Sequence, residues 1–346
     1  MNITTIGLDI AKRVFEVHGT DERDRMALRK TLKRAQVATF FAQLPPCLIG
    51  MEACGSAHFW ARQLSALGHT VKLMAPQFVK PYVKTNKNDA RDAEAICEAV
   101  RRPNMRFVPV KTLEQQALLS LHRARQGFVA ARTAQSNQIR GLLAEFGIVI
   151  PEGTGWLKEQ MPQILADTEN GLPGLSRELF ARLLEHFRQL DCQVKELQQQ
   201  IQAWHRASQS SQRLQKIPGI GPLTASALIA SIGDARGFKN GRQLAAWLGL
   251  VPRQDSSGGQ VRLLGISKRG DTYLRTLLIH GARAVLSRLK RPPVERAEGW
   301  LGRLAARRHA NVAAVALANK NARIVWALLA HDRDYQPGYL ARPTSA

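Results

Sequence analysis

The order of short apolar runs over the first hundred residues restricts the fold more than any other feature of the chain. Residues 3–10 (ITTIGLDI) and 13–18 (RVFEVH) are β-branched or alternating and read as strands separated by a short Ala-Lys turn. A third short strand is expected from Met26 to Arg29. A helix over 31–43 follows, with Leu32, Val37, Phe40, Phe41 and Leu44 as its apolar stripe. Residues 47–52 (CLIGME) read as a buried strand, 56–67 as a helix, 70–74 (TVKLM) as a strand and 89–101 as a last helix. Three strands in a meander, then helix, strand, helix, strand, helix, make a mixed α/β domain of ordinary size.

The remainder is helical in texture. Residues 112–147 form one strongly helical stretch, and Pro and Gly residues between Pro151 and Gly174 break up a connector. Beyond it, Leu183, Phe187, Leu190, Val194, Leu197, Ile201 and Trp204 recur at alternating spacings of four and three, a heptad seam. The seam fits an antiparallel partner at 112–147 or a second subunit, and the pattern does not choose. The expected fold class is therefore α/β plus all-α, divided as 1–110, a helical coiled-coil region 111–207, a compact region 208–332 and a tail 333–346.

Charge narrows the partners. Lys and Arg number 50 against 27 Asp and Glu, a net of +23, and residues 208–346 alone carry +15. With 45% hydrophobic residues the chain is no disordered basic tail, so the excess points to a polyanion, either nucleic acid or an anionic membrane surface. A solvated basic face is the plainer alternative, weakened by the scarcity of acids there. No uninterrupted apolar run approaches the roughly 18–20 residues that span a bilayer, and the N-terminus lacks a signal-peptide layout. A cytoplasmic, nucleoid-associated place without membrane is expected. The cysteines Cys47, Cys54, Cys97 and Cys192 form no CxxC pair, which argues against a disulfide framework or structural zinc.

Four carboxylates stand out against this basic background. Asp9 sits between Leu8 and Ile10 near the end of the first strand, and Glu52 ends the apolar strand CLIGM. An acid in such a run is costly to bury unless it is paired or binds a cation. Strand ends in a mixed sheet can lie side by side, which would bring these two together. Asp89 and Asp92 are three apart in NDARDAEAI and share a helix face. Singly, each has an ordinary reading, as a strand-end turn residue, a helix cap or a surface ion pair. Together they suit a hard divalent cation, Mg²⁺ with Mn²⁺ as substitute, and two such ions about 4 Å apart serve phosphodiester chemistry.

Two motifs mark the basic region. Ile217-Pro-Gly-Ile-Gly-Pro222 between apolar helices reads as a helix-hairpin-helix, in which Gly219 and Gly221 admit a phosphate backbone and the next helix offers free N–H groups. A plain tight turn is the alternative, and a P-loop is excluded because no GK[ST] follows. Further on, Ser256 and Ser257 precede Gly258 and Gly259 among Arg253, Arg262, Lys268, Arg269 and Arg275. A Ser-Gly pair is usually only a turn. A serine attacking DNA needs an exposed loop, cations for the developing charge and an outlet for its proton. No His adjoins the pair, so a Ser-His-Asp hydrolase is not indicated.

GLDIAK at 7–12, GMEACG at 50–55 and NDARDAEA at 88–95 resemble the acid motifs of DEDD-type insertion-sequence transposases. IPGIGPLTA, AAWLGLVPRQDSSGG and GISKRGDTYLRTLLIHGAR resemble their C-terminal domain, in the one-ten family and its eleven-eleven branch. The likeness runs from about residue 5 to 330. It implies a ribonuclease-H/RuvC-like N-terminal domain, a coiled-coil insertion and a serine-bearing C-terminal domain. It implies a transposase that cleaves and rejoins DNA to move an insertion sequence, with Asp9, Glu52, Asp89 and Asp92 as metal ligands. Ser257, or its neighbour Ser256, would form a covalent 5′-phosphoserine link. Gly219, Gly221, Arg253, Arg262, Lys268, Arg269 and Arg275 are the candidates for nucleic-acid contact. The likeness further implies a non-coding guide RNA pairing with element and target DNA. It implies a dimer or tetramer in which acids of one subunit complete the site around another's serine. The competing reading is a RuvC-like junction resolvase or metal nuclease in which water attacks. A non-catalytic nucleic-acid-binding protein has no use for the four acids, which repel phosphates.

Overall fold

A computed structural model describes residues 3–83, 89–289 and 299–337, and the chain divides into two compact units, Met1–Thr112 and Leu113–Ala346.

The first unit contains β1 (Thr5–Ile10), β2 (Val14–Thr20), β3 (Met26–Lys33), α1 (Val37–Ala42), β4 (Leu48–Glu52), α2 (Ala57–Ala66), β5 (Thr70–Met74), α3 (Pro76–Val79), α4 (Asp89–Val100) and β6 (Phe107–Val108). The strands make one sheet in the order β3-β2-β1-β4-β5-β6. β1, β2 and β3 form the antiparallel meander, β1, β4 and β5 run parallel, and β6 returns antiparallel. This mixed layout is consistent with a ribonuclease-H-like domain. Side-chain alternation assigns the faces. Ile6, Leu8, Phe15, Val17, Ile49 and Met51 pack with Val37, Phe41, Trp60 and Leu64 of α1 and α2. The residues between them face α4. The helix expected over 31–43 is shorter than its stripe suggested, because β3 continues to Lys33. Leu32 pairs with Phe15 in the ladder and is buried among the strands, so it belongs to period two rather than 3.6.

The second unit begins with α5 (Leu113–Ala144), α6 (Thr154–Ala166) and α7 (Gly174–Ala207). Arg125 donates to Gln198 (2.9 Å), Arg132 to Asp191 (2.7 Å), and Gln135 meets His186 (2.6 Å). As one number rises its partner falls, so α5 and α7 form an antiparallel hairpin and the heptad seam is filled within the chain. Phe187, Leu190, Val194 and Ile201 of the seam are buried, while Cys192 lies off it, exposed. Burial pushes the Asp191 carboxyl up, but hydrogen bonds from Lys158, Lys195 and Arg132 outweigh it and hold the group down to about 2.

The rest comprises α8 (Gln209–Gln215), α9 (Pro222–Ile232), α10 (Gly241–Trp247), the hairpin β7 (Pro252–Gln254) and β8 (Leu263–Ile266), α11 (Thr272–Leu289), α12 (Trp300–Arg307) and α13 (Ala310–Ala330). The stretches 111–207 and 208–332, separate in the sequence reading, pack together in this unit. Leu118 of α5, Ile201 of α7 and Ala230 of α9 share one apolar cluster. His122 of α5 is buried between the hydroxyls of Ser226 on α9 (3.1 Å) and Tyr273 on α11 (3.0 Å). Burial and the charge of Arg125 push its imidazole down to about 4. Among the described residues α13 alone is long and apolar enough to cross a membrane, but Ala314, Leu317, Ala318, Ala322 and Val325 are buried in the unit's core.

Candidate functional site

The acid site is set by two glycines. Gly7 and Gly50 each stand two residues before an acid, in GLD and GME, and so share a sheet face with Asp9 and Glu52. An added Cβ at Gly7 would sit 2.0 Å from the Ala93 carbonyl oxygen, and one at Gly50 would sit 2.7 Å from Val100 Cβ. Bare backbone at these points lets α4 lie directly on β1 and β4. Cys97 completes the seam, its thiol donating to the Thr5 carbonyl (3.7 Å). This approach carries the first turn of α4 to the end of β1. There, carboxylate oxygens of Asp9, Asp89 and Asp92 lie within 4.8 Å of one another.

Three acids this close repel. Burial, then the charges of Asp92 and Asp89, then that of Glu16 push the Asp9 carboxyl up to about 6, against a backbone hydrogen bond from Ile10 that lowers it. Glu16 is the cross-strand partner of Asp9 on β2, with Thr31 Oγ1 donating to it (2.8 Å). Glu52 lies one step past the last paired residues of β1 and β4, Leu8 and Met51, half-buried on the face of Asp9 but outside the trio. Cys54 adjoins this site, its thiol pushed up by burial and by the charges of Asp9 and Glu52. An all-oxygen set of mutually repelling carboxylates suits a hard divalent cation. The cation would remove the repulsion that a protonated Asp9 otherwise relieves.

In the second unit, Ser256 and Ser257 stand at the tip of the β7–β8 hairpin. Asp255 N–H donates to the Arg262 carbonyl (2.9 Å) and Gln260 N–H to the Ser257 carbonyl (3.0 Å). Gly258 (φ 56°) and Gly259 (φ 79°) occupy the left-handed region between them, as a tight primed turn demands. Ser256 Oγ accepts from Arg262 N–H (3.2 Å) and from the Gln254 side-chain amide (2.9 Å), so it holds the hairpin together. Ser257 is exposed, and its hydroxyl has no partner among the described residues. The hairpin base is anchored by Ser267 N–H to the Val251 carbonyl (2.8 Å) and Lys268 N–H to the Gly249 carbonyl (3.2 Å).

The expected cations divide. Arg253, Arg262, Lys268 and Arg269 are exposed around the hairpin. Arg275 is not a surface group. It is 7% exposed, and it donates to the carbonyls of Leu248 (3.2 Å) and Arg269 (3.0 Å) and to Thr272 Oγ1 (3.0 Å). Its expected phosphate contact therefore gives way to a brace under the hairpin. Gly219 is likewise spoken for internally. It has φ +89°, and an added Cβ would meet the Gly281 carbonyl oxygen at 2.9 Å, so its small size serves packing against α11. Gly221, exposed at the start of α9, has open space around it. Nothing in residue order alone singles out Gly7, Gly50 or Gly281, beyond the paired GLD and GME spacing at the first two.

A family model described as a transposase, of the DEDD type of IS110 elements, matches residues 6–148. A second, the transposase of the IS116/IS110/IS902 family, matches residues 211–297. The chain belongs to this transposase family. It is 57% identical over 339 residues to a probable family 20 transposase of Pseudomonas aeruginosa, covering 98% of this chain and all of the relative. It is 45% identical to the transposase for insertion sequence element IS1111A of Coxiella burnetii, over 97% of this chain and 92% of that one. The transposase for IS1328 of Yersinia enterocolitica is also 45% identical, over 94% and 96%. The two family matches fall on the two features described above: the first spans the acid site and the second the serine hairpin.

Proposed function

We propose that this member of the IS110 transposase family cleaves and rejoins DNA by a metal-assisted serine mechanism. The convergence of Asp9, Asp89 and Asp92 at one end of the sheet carries the reading, because pure nucleic-acid binding gains nothing from three clustered anions. Glu52 is the fourth ligand candidate. These residues would hold Mg²⁺, with Mn²⁺ as substitute. A bound divalent cation neutralises charge on the transferring phosphate and makes an attacking or leaving oxygen more acidic.

Ser257 is the nucleophile on this reading, since Ser256 is engaged in holding the hairpin. The Ser257 oxygen forms a bond to phosphorus as its proton leaves to a carboxylate or water. The phosphorus–oxygen bond to the neighbouring nucleotide breaks, and the departing 3′-oxygen takes a proton from water to leave a 3′-hydroxyl. The 5′-phosphoserine left behind preserves the energy of the bond for rejoining. Arg253, Arg262, Lys268 and Arg269 would steady the charge on the phosphate. Element-encoded guide RNA and a dimeric or tetrameric assembly complete the proposal on family resemblance.

A trapped covalent protein–DNA adduct tests the mechanism. Ser257→Ala is expected to abolish it with a loss of at least about 10³-fold in strand cleavage, and Ser256→Ala to reduce it less. Cleavage that survives both substitutions but is lost in Asp9→Asn establishes water as the attacking group, as in a junction resolvase.

A further inference from the structure

Beside the serine hairpin, within the second unit, lies an open groove of about 1260 Å³ that the mechanism above does not use. Its floor is one face of α13, its walls are the hairpin (Pro252, Leu264, Ile266), the start of α10 and Trp300 of α12. Among the described residues no acidic side chain lines it, whereas Arg242, Lys320 and Arg323 do, and none of these three has an acidic partner there. Trp300 is 41% exposed, with the Lys320 ammonium 4.9 Å from its ring centre. Asn319 donates to the Leu250 carbonyl (3.0 Å) and ties the floor to the hairpin base.

The combination limits the occupant. Apolar lining alone fits a helix of another chain or an acyl tail, but three rim cations without an acidic partner among the described residues select an anion. An anion with flat apolar faces is a strand of unstacked nucleotides. Aromatic side chains in basic grooves bind such strands by stacking on bases while cations follow the backbone. A duplex hides its base faces and gains nothing from Trp300.

We infer that this groove holds a short single-stranded nucleic-acid segment. A base stacks on Trp300, and Arg242, Lys320 and Arg323 contact its phosphates. Because the hairpin forms one wall, a strand held here is led toward Ser257. The identity of the strand as the one attacked rests on the serine reading, whereas its binding does not.

Fluorescence anisotropy with the full chain tests this, using labelled oligothymidine, oligouridine and a duplex of equal length. Trp300→Ala is expected to weaken strand binding about tenfold, the loss of about 1.4 kcal/mol of stacking, with duplex binding little changed. Trp300→Phe should recover most of it. Arg242→Gln and Arg323→Gln should each lower the salt dependence by about one charge. Loss confined to oligothymidine or to oligouridine identifies DNA or RNA as the source. Photo-crosslinking of a thiothymidine strand to the wild-type chain should label the peptides of Trp300 or α13, whatever the variants do to folding. Three results overturn the inference: strand binding unchanged in Trp300→Ala, equal loss for strand and duplex, or crosslinks only elsewhere. A change of oligomeric state in Trp300→Ala with unchanged strand affinity assigns the groove to a second copy instead. Ser257→Ala separates the two readings, since it should keep strand affinity while losing the adduct.

Discussion

The acid site and the serine hairpin are positioned by opposite means. At the acid site, location comes from removing side chains: Gly7 and Gly50 let the backbone of α4 settle onto the sheet, and the carboxylates ride on that contact. At the hairpin, residues 252–263 are exposed, and a two-stranded ribbon is held by a few backbone hydrogen bonds, Ser256 and a buried brace beneath. If the acids hold a metal, as proposed, their oxygens must stay within a fraction of an ångström of fixed positions, which packed elements provide. Ser257, if it is the nucleophile proposed above, must instead protrude to reach a DNA backbone, and a two-stranded hairpin is marginal without support. The contrast makes substitutions in the two places behave differently.

The sharpest break is a methyl group at Gly7. Gly7→Ala drives Cβ into the Ala93 carbonyl, so α4 must lift from the sheet. A cost of about 3 kcal/mol or more is expected, together with loss of divalent-cation affinity. Gly258→Ala has open space and only its positive φ to accommodate, at about 1–2 kcal/mol against the hairpin alone. Denaturant titration with and without Mg²⁺ checks both. Equal effects of the two substitutions would mean that α4 is not what places the acids.

Arg275→Ala comes next and separates brace from phosphate contact. Removing the guanidinium leaves the Leu248 and Arg269 carbonyls without their donor, at a cost of about 2–3 kcal/mol. A lowered melting temperature is expected even in the absence of nucleic acid. A variant with wild-type stability and weakened DNA affinity would return Arg275 to the surface role its sequence suggested.

These outcomes mirror what the residue order could reveal. β-Branched and apolar runs announced the meander, β4 and β5, and the Asp89/Asp92 spacing announced a shared helix face. The strand end at Lys33 was hidden because Leu32 fits a helical stripe and a ladder equally, and only its partner Phe15 decides. Arg275 looked like its exposed neighbours because burial of a cation is decided by carbonyls supplied from Leu248 and Arg269, which no local pattern reports. The heptad seam defined a surface but not its partner. Four acids were legible as residue types in an order, but that only Asp9, Asp89 and Asp92 form the close trio, and that a glycine contact between elements far apart in sequence produces it, was not.

Protonation sharpens the comparison further, because the two units contain carboxylates shifted in opposite directions. Asp9 is raised from 3.8 to about 6, so the folded, metal-free chain holds a proton that the unfolded chain releases. Stability should therefore fall as pH rises from about 4 through 6. The shift corresponds to about 3 kcal/mol at full strength, and solvent screening at this half-buried group brings it to about 1 kcal/mol. Asp191, held to about 2, has the opposite sign: its contribution is present above about pH 4 and is lost as pH falls toward 2. In urea titrations at pH 4 and pH 7, Asp9→Asn should gain on the wild type at the higher pH. Saturating Mg²⁺ should remove that gain. Parallel stability curves for the two proteins would show that Asp9 is not under strain from its neighbours.

The smallest effect is expected at the exposed cations, where it is also the most diagnostic. Arg253 has its side chain in solvent on β7, with no acidic partner among the described residues. Arg253→Gln removes no internal hydrogen bond, so folding stability should move by less than about 0.5 kcal/mol. If Arg253 touches a DNA phosphate, the slope of log affinity against log salt should shrink by about one. The chain's +23 net charge leaves many other cations available for such contacts. The loss in affinity at moderate salt is modest and independent of DNA sequence, because a phosphate contact carries no base information. Isothermal binding at several salt concentrations measures the slope directly. An unchanged slope, with stability also unchanged, would place the DNA backbone away from β7 and leave Arg262, Lys268 and Arg269 to meet it.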